Sequence, residues 1–333
     1  MELRGNIPVA SKSSVPSVIF FKRLIAATLA FLILSLTGLS VFFGVRLRQT
    51  GARLDEYVAE EEAERLRNLI PPEKEKPEGE RDATEILAEN KIIAHALGSV
   101  DGLSELNCLE GFLAGYAAGI RVFETDLRMT SDGRVVLRHD WRGSLQEGIG
   151  ETHVPTLEEF LATPILGQYT PMSFQDLLLL MEQYPDVCIV TDTKFLEPEA
   201  VADQFQAMVY DAQKLGLSYL FDRMAIQVYS PSHFGIVESV HHFPHYIYTL
   251  YQDYFEADEA SFRRKADFAK ENGIEAITMW SYLWEGNWKA IADYRGLNIY
   301  VHTVNEIESA EWVMSLGVNA IYTDILTPAD LED

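Results

Sequence analysis

The chain has 333 residues, 47% of them hydrophobic, and a formal net charge of −24 at pH 7. This length suits one α/β barrel of roughly 250 residues with an extension. So acidic a chain is repelled by nucleic acid phosphates, which argues against polynucleotide binding. The two cysteines, Cys108 and Cys188, are too few for a disulfide framework and match no zinc-site spacing.

The first predicted element is an apolar run without any charged residue, from Leu24 to Val45. It has about the ~20 residues that cross ~30 Å of hydrocarbon, so we predict one N-terminal transmembrane helix. A buried core helix would show a polar face, and the apolar part of a cleavable signal peptide is typically about 7–15 residues. Four Lys or Arg residues precede the run and three follow it closely. This favours a cytoplasmic segment over 1–23 and a catalytic domain outside.

Residues 46–90 are dense in Glu, Lys and Arg and include Pro71, Pro72 and Pro77. The part before Pro71 favours a charged surface helix, which the prolines then end. We interpret the segment as a charged stalk or linker without chemistry, because a run of charges is typical of a solvated surface. The folded domain is predicted to span 91–333.

From Lys91 onward, short apolar runs alternate with longer segments of helical period. The predicted strands lie at 91–95, 120–127, 134–139, 187–192, 224–229, 246–251, 275–280, 298–304 and 319–324. The predicted helices lie at 109–118, 174–183, 198–215, 231–240, 257–272, 288–294 and 307–316. Such alternation is typical of parallel βαβ units, and about eight of them predict a (β/α)8 TIM barrel. Nine strand candidates are one too many, and the pattern does not say which is the extra one.

Several predicted strands end in polar side chains that can react or bind. These residues are His95, Glu124, Asp126, His139, Asp192, Gln227, His302 and Asp324. Any one of them is ordinarily a hydrogen-bonded polar group or a helix cap. Active sites of such barrels lie at the carboxyl ends of the strands, however, so the whole set is expected to converge on one mouth.

Glu124 and Asp126 are expected to form the core of a metal site. Alternate residues of a strand point the same way, so the two carboxylates would lie side by side and repel each other. A cation between them relieves that repulsion. Asp192 ends another strand and can add a third oxygen, which makes a hard-oxygen site for Mg²⁺ or Ca²⁺. Lys194, two residues further along, is placed to hold a phosphate oxygen or to pair with a carboxylate.

His95 and His139 are the predicted acid and base catalysts. Phosphodiester cleavage requires one proton to be taken from the nucleophile and one to be given to the leaving oxygen. Two histidines can divide these tasks near neutral pH. The alternative is sugar hydrolysis by two carboxylates. It is disfavoured because Glu124 and Asp126 are neighbours on one strand and do not face each other across a scissile bond.

One set of residues runs through most of the predicted barrel in a recognisable order. Its members are His95, Asn107, Gly119, Glu124-Thr125-Asp126, Thr130-Ser131-Asp132-Gly133, His139-Asp140, Thr303-Val304-Asn305 and the closing run Gly317 to Asp324. In this order and spacing the chain resembles the glycerophosphodiester phosphodiesterase family from residue 91 to about 326. The resemblance implies metal ligation by Glu124 and Asp126 and acid–base work by His95 and His139.

The chain also departs from the family's pattern. Asp192-Thr193-Lys194 stands where the family has Glu-x-Lys, and Ala96 stands where it has a phosphate-binding arginine. Arg138 and Arg142 flank His139 and are candidates to compensate, although Arg138 adjoins His139 and should face the other way. The candidate phosphate- or substrate-binding residues are Lys194, Asn107 and Gln227.

We predict a membrane-anchored enzyme that uses a divalent metal to hydrolyse a glycerophosphodiester-type substrate, either a lipid head group or glycerol phosphate of a surface glycan. Candidates for a wall against the glycerol or sugar moiety are Trp141, Trp280, Tyr282 and Trp284. Two alternatives stay open. One is a phosphoinositide-type phospholipase C-like lyase, which would release a cyclic phosphate. The other is a catalytically silent barrel that binds a phosphoglycan.

Overall fold

Eight parallel strands close into a barrel in the computed structural model, which describes residues 71–143, 145–250 and 258–331. The barrel strands pair in chain order. Strand β1 (Ile92–Ala94) closes the barrel by pairing with both β2 (Val122–Met129) and β9 (Ala320–Thr323). The predicted TIM barrel is confirmed.

The observed elements agree closely with the predicted ones. The remaining strands are β3 (Val135–Leu137), β4 (Cys188–Thr193), β5 (Met224–Val228), β6 (His245–Thr249), β7 (Ala276–Trp280) and β8 (Asn298–His302). The helices are α1 (Ala83–Glu89), α2 (Leu109–Ala117), α3 (Leu157–Ala162), α4 (Phe174–Gln183), α5 (Pro198–Leu215), α6 (Pro231–Val240), α7 (Glu259–Glu271), α8 (Lys289–Arg295) and α9 (Ile307–Ser315). Helices α1 and α3 lie where none was predicted. Helix α3 carries a sequence signal, a Thr156/Glu159 capping box.

The extra strand candidate is β3, which is not a barrel strand. It pairs antiparallel with the end of β2, with Leu127 opposite Leu137 and Met129 opposite Val135. The chain reverses through a tight turn in which Gly133 has a φ of +73°, a conformation that favours glycine. The hairpin stands above the barrel mouth and carries the segment with His139 back over it.

The inward-facing positions of the strands change character along the barrel. On β2 this row is Val122, Glu124, Asp126 and Arg128, because alternate residues share a face. Val122 lies at the amino end within a buried apolar cluster inside the barrel. The polar members follow toward the carboxyl end. The same row therefore contributes an apolar core residue at the amino end of the barrel and polar side chains at the carboxyl end.

Helix α1 closes the bottom of this apolar interior. Its Ile86 and Leu87 are buried in the same cluster as Val122 and Ile93. Just before α1, Glu80 forms a buried ion pair with Arg223 at the start of β5. The predicted domain boundary at residue 91 therefore falls inside the barrel unit. The contribution of α1 to the barrel was not predicted, because only one face of α1 is apolar and the surrounding sequence is charged.

Replacing Ile86 with alanine is expected to lower the free energy of unfolding by about 2–5 kcal/mol, because a fully buried side chain leaves a cavity. The matched control is Glu89→Ala on the exposed side of α1, which forms a surface pair with Arg81 and should change stability by about 0.5 kcal/mol or less. Urea unfolding of the full-length protein measures both. Equal effects of the two substitutions would contradict the closure of the barrel by α1.

The predicted transmembrane run, Leu24 to Val45, and the predicted charged helix before Pro71 lie outside the described residues. Within the part of the chain that the structure describes, no helix is both long enough and apolar enough to cross a membrane.

Candidate active site

Three predicted carboxylates meet at the carboxyl end of the barrel. Asp126 of β2 lies directly opposite Asp192 of β4 in the parallel register, and Glu124 lies one inward position below Asp126. Each of the three residues offers a carboxylate oxygen within 4.8 Å of those of the other two. All three side chains are buried. Strand pairing thus explains why residues far apart in sequence form one cluster of oxygens.

This cluster holds more negative charge than its protein partners neutralise. Burial and the neighbouring Asp126 raise the pKa of Glu124 to about 8. Burial also acts to raise the pKa of Asp126, but the charges of Lys194 and His139 outweigh it and hold that pKa below its usual value. Lys194 Nζ lies 2.7 Å from Asp126 Oδ1 and also contacts Asp192. Three buried carboxylates face the ammonium of Lys194 and the imidazole of His95, whose Nε2 is 4.0 Å from Glu124 Oε2, and this set fits a site for a divalent cation.

Backbone and amide groups hold two of these carboxylates in place. The backbone N–H of Ala96 donates to Glu124 Oε2 at 2.8 Å. Asn107 Nδ2 donates to Asp126 Oδ2 at 2.7 Å, and Asn107 Oδ1 accepts from the backbone N–H of Asp126 at 3.0 Å. Asn107 is buried and both polar atoms of its side chain are engaged by β2. The structure therefore makes Asn107 a positioning residue, and its predicted contact with substrate stays a prediction.

His95 is oriented by the carboxylate of Asp324, a strand-end residue for which no specific role was predicted. Asp324, after β9, accepts from His95 Nδ1 at 2.8 Å, which leaves Nε2 4.0 Å from Glu124 Oε2. Asn305 in turn donates to the second oxygen of Asp324 at 2.6 Å. Burial acts to lower the pKa of His95, but the hydrogen bond to Asp324 and the charge of Glu124 outweigh it and raise that pKa to about 9. The hydrogen bond to Asp324 therefore favours the protonated form of His95.

His139 lies on the rim of the mouth, beyond the β3 hairpin. Its Nδ1 is 3.0 Å from Oδ2 of Asp140, and half of its side chain is exposed. Asp140 is fixed in turn by the backbone N–H of Arg142 at 2.7 Å. His139 and His95 thus approach the carboxylates from two different segments, and each imidazole has a carboxylate partner.

A cleft connects the carboxylates with the centre of the mouth. Its lining residues are His95, Glu124, Asp192, Gln227, His302, Thr303 and Tyr322. The predicted residue Gln227 accepts a weak hydrogen bond from Tyr322 Oη at 3.5 Å. Tyr229, which was not predicted, donates its hydroxyl to Asp192. Burial, together with the charges of His95 and Lys194, lowers the pKa of His302 to about 3, so this imidazole is neutral.

Three of the candidate side chains, Arg138, Arg142 and Trp284, do not line the cleft. Arg138 is buried and donates from Nε to the carbonyl of Asp140, and Arg142 is exposed and pairs with Glu151 at 3.2 Å. Trp284 was predicted for an aromatic wall, but it is fully buried and packs between helices, so that prediction is wrong. Its position shortly after a strand did not show that the ring turns inward.

The other predicted wall residues divide into two groups. Trp141 packs edge-on against Phe160, with ring centroids 6.0 Å apart. Trp280 and Tyr282 stack on each other at 6.2 Å and are 38% and 71% exposed, respectively. Of the predicted wall residues, Trp280 and Tyr282 are therefore the pair whose rings are exposed to solvent beside the cleft.

Comparison with known proteins agrees with this geometry. Residues 101–326 match the Glycerophosphoryl diester phosphodiesterase family. A structure from Silicibacter pomeroyi, assigned as a glycerophosphoryl diester phosphodiesterase, shares 20% identity at a TM-score of 0.62 and covers 74% of this chain and 95% of that one. An Oleispira antarctica phosphodiesterase, in complex with the product sn-glycerol-3-phosphate, shares 16% identity at a TM-score of 0.58 and covers 71% and 93%. Identities this low show a common fold.

Proposed function

Because the chain belongs to the glycerophosphoryl diester phosphodiesterase family, and is therefore a phosphoric diester hydrolase, we propose that it hydrolyses a glycerophosphodiester-type substrate with the help of a divalent metal. The observation that carries this proposal is the buried cluster of Glu124, Asp126 and Asp192 beside His95. In this proposal water is the nucleophile and two imidazoles carry the protons.

The metal, Mg²⁺ or Ca²⁺, would be held by Glu124, Asp126 and Asp192. When bound, it supplies positive charge that offsets the carboxylates and the negative charge developing on the phosphoryl oxygens. The chain's own contribution is a set of oxygens whose positions are fixed before substrate arrives. The amide of Ala96 fixes Glu124, Asn107 fixes Asp126, and the hydroxyl of Tyr229 fixes Asp192.

The two histidines divide the proton transfers. We assign His95, which bonds to Asp324 through Nδ1 and lines the cleft, as the donor to the oxygen of the departing alcohol. His139 is the acceptor of the proton that the attacking water loses. The Asp324 carboxylate holds His95 by its Nδ1–H and directs Nε2 into the cleft. Asp140 orients His139 in the same manner.

The substrate contacts and the location remain parts of the proposal. Lys194 and Gln227 are the groups placed to meet phosphate and alcohol oxygens. A glycerol phosphate product is supported by the sn-glycerol-3-phosphate bound in the Oleispira antarctica protein. The alcohol is a lipid head group or part of a surface glycan. We further propose that residues 24–45 anchor the enzyme in a membrane, with the barrel outside the cytoplasm.

We expect the full-length protein in detergent to convert a glycerophosphodiester into one equivalent of phosphate monoester and one of free alcohol, because water is the attacking group. Phosphorus NMR of the reaction mixture identifies the phosphorus product. A cyclic phosphate would instead indicate attack by a substrate hydroxyl and favour the phospholipase C-like lyase. Absence of turnover with both Mg²⁺ and Ca²⁺ would favour the catalytically silent barrel.

A further inference from the structure

Arg128 is the outermost member of the inward-facing row on β2. Glu124, Asp126 and Arg128 occupy alternate positions of one strand and so share a face. Arg128 stands next to the end of β2, nearer to solvent than either carboxylate and partly exposed. A side chain leaving the strand here extends over the mouth of the barrel.

Two hydrogen bonds fix the guanidinium of Arg128 across that mouth. Its Nε donates to the backbone carbonyl of His139 at 2.9 Å, and its Nη1 donates to the backbone carbonyl of Lys194 at 3.2 Å. The guanidinium also lies 5.3 Å from the centre of the Phe195 ring. Arg128 thus joins the segment after β3 to the end of β4, and both carbonyls belong to residues of the proposed machinery.

Among the described residues, no carboxylate forms an ion pair with Arg128. Most other arginines of the described residues form carboxylate pairs, as Arg121 does with Asp186 and Arg134 with Asp211, while Arg138, which forms none, is buried. Arg128 forms no such pair anywhere in the described chain, although Asp126, Asp140 and Asp192 all lie close enough to act on its charge. Its bonds go to neutral carbonyls, and Nη2 has no acceptor among the described residues. This leaves one donor of the guanidinium available to an anion that comes from solution.

Other candidate cations are less available. Lys194 is already bound to Asp126 and Asp192, while Arg142 turns away to Glu151. Ala96 is fully buried and has no charge to offer. We infer that Arg128 binds a non-bridging oxygen of the substrate phosphate through Nη2, while Nε and Nη1 keep the backbone of His139 and Lys194 in place. This inference rests on the proposed function, because it places the phosphate at this mouth.

The test compares Arg128→Gln, Arg128→Lys and the exposed control Arg263→Gln on helix α7 in the full-length protein. Binding of sn-glycerol 3-phosphate is measured by calorimetry, and KM and kcat are measured with a glycerophosphodiester. Loss of one charge-assisted hydrogen bond should weaken glycerol phosphate binding and raise KM by about 10- to 100-fold in Arg128→Gln. Arg128→Lys keeps the charge but lacks the several N–H donors of the guanidinium. Its glycerol phosphate affinity and its KM should therefore lie between those of Arg128→Gln and the unsubstituted protein. Arg263→Gln should match the unsubstituted protein.

Glycerol phosphate affinity within about twofold of the unsubstituted protein in folded Arg128→Gln would overturn the inference, even if kcat fell. Thermal unfolding establishes that each variant is folded, and Arg128→Lys provides the comparison if Arg128→Gln is not. The binding measurement needs no turnover. Full activity in Glu124→Gln and His95→Ala would therefore refute the proposed function, while calorimetry would still decide the role of Arg128.

Discussion

Replacing His95 with alanine is expected to lower kcat/KM by about 10²- to 10⁴-fold, the usual contribution of a positioned acid or base. His95 combines a carboxylate partner on Nδ1 with an Nε2 that faces the carboxylate cluster. No other imidazole in the described chain has both features, because His302 is neutral and His139 lies on the rim. Initial rates of the full-length protein on a glycerophosphodiester measure the effect. His139→Ala should lose activity within the same range.

The matched control is His242→Ala, which removes an exposed imidazole that pairs with Glu238 on helix α6. Its activity should equal that of the unsubstituted protein. Asp324→Asn should cause a smaller loss than His95→Ala, since it removes the partner and leaves the imidazole. If His95→Ala kept more than half of the activity, His95 would have no part in proton transfer.

Chelation of divalent metal by EDTA is expected to abolish turnover, and Glu124→Gln is expected to lose activity by at least about 100-fold. Even partners outside the ligand set typically cost about 10- to 100-fold in metal affinity or activity, so a direct ligand should cost no less. The glutamine keeps the size of the side chain and can still accept from the Ala96 amide, so the loss reports on charge. Titration of the chelated protein with Mg²⁺ or Ca²⁺, followed by activity and melting temperature, gives the affinities.

Glu275→Gln provides a charge-matched control at the opposite end of the barrel, where Glu275 bonds to His245 and Thr84. The activity and melting temperature of Glu275→Gln should respond to added metal as those of the unsubstituted protein do. Added metal should raise the melting temperature of the unsubstituted protein more than that of Glu124→Gln, because a ligand stabilises the state that binds it. Activity that is insensitive to EDTA would remove the metal from the proposed function.

The sequence was sufficient for the architecture and for the composition of the cluster. Apolar runs of strand length, separated by segments of helical period, predict the barrel, and such patterns depend only on local periodicity. The alternation of side chains then places Glu124 and Asp126 on one face of β2. The rule that barrel sites lie at strand ends brings in Asp192 and His95. These inferences hold because the alternation of side chains along a strand fixes which residues share a face.

The features that only the tertiary structure decided depend on contacts between segments that are distant in sequence. No local pattern shows that β3 folds back on β2, that α1 closes the barrel beneath a charged sequence, or that Trp284 turns into the core. Hydrogen-bond partners are equally non-local. The bond between Asp324 and His95 and the bridge from Arg128 to the His139 and Lys194 carbonyls each join parts of the chain that meet only in the closed barrel. The sequence thus determined that the carboxylates of Glu124, Asp126 and Asp192 and the imidazole of His95 face the mouth, and packing determined which partner each of them has there.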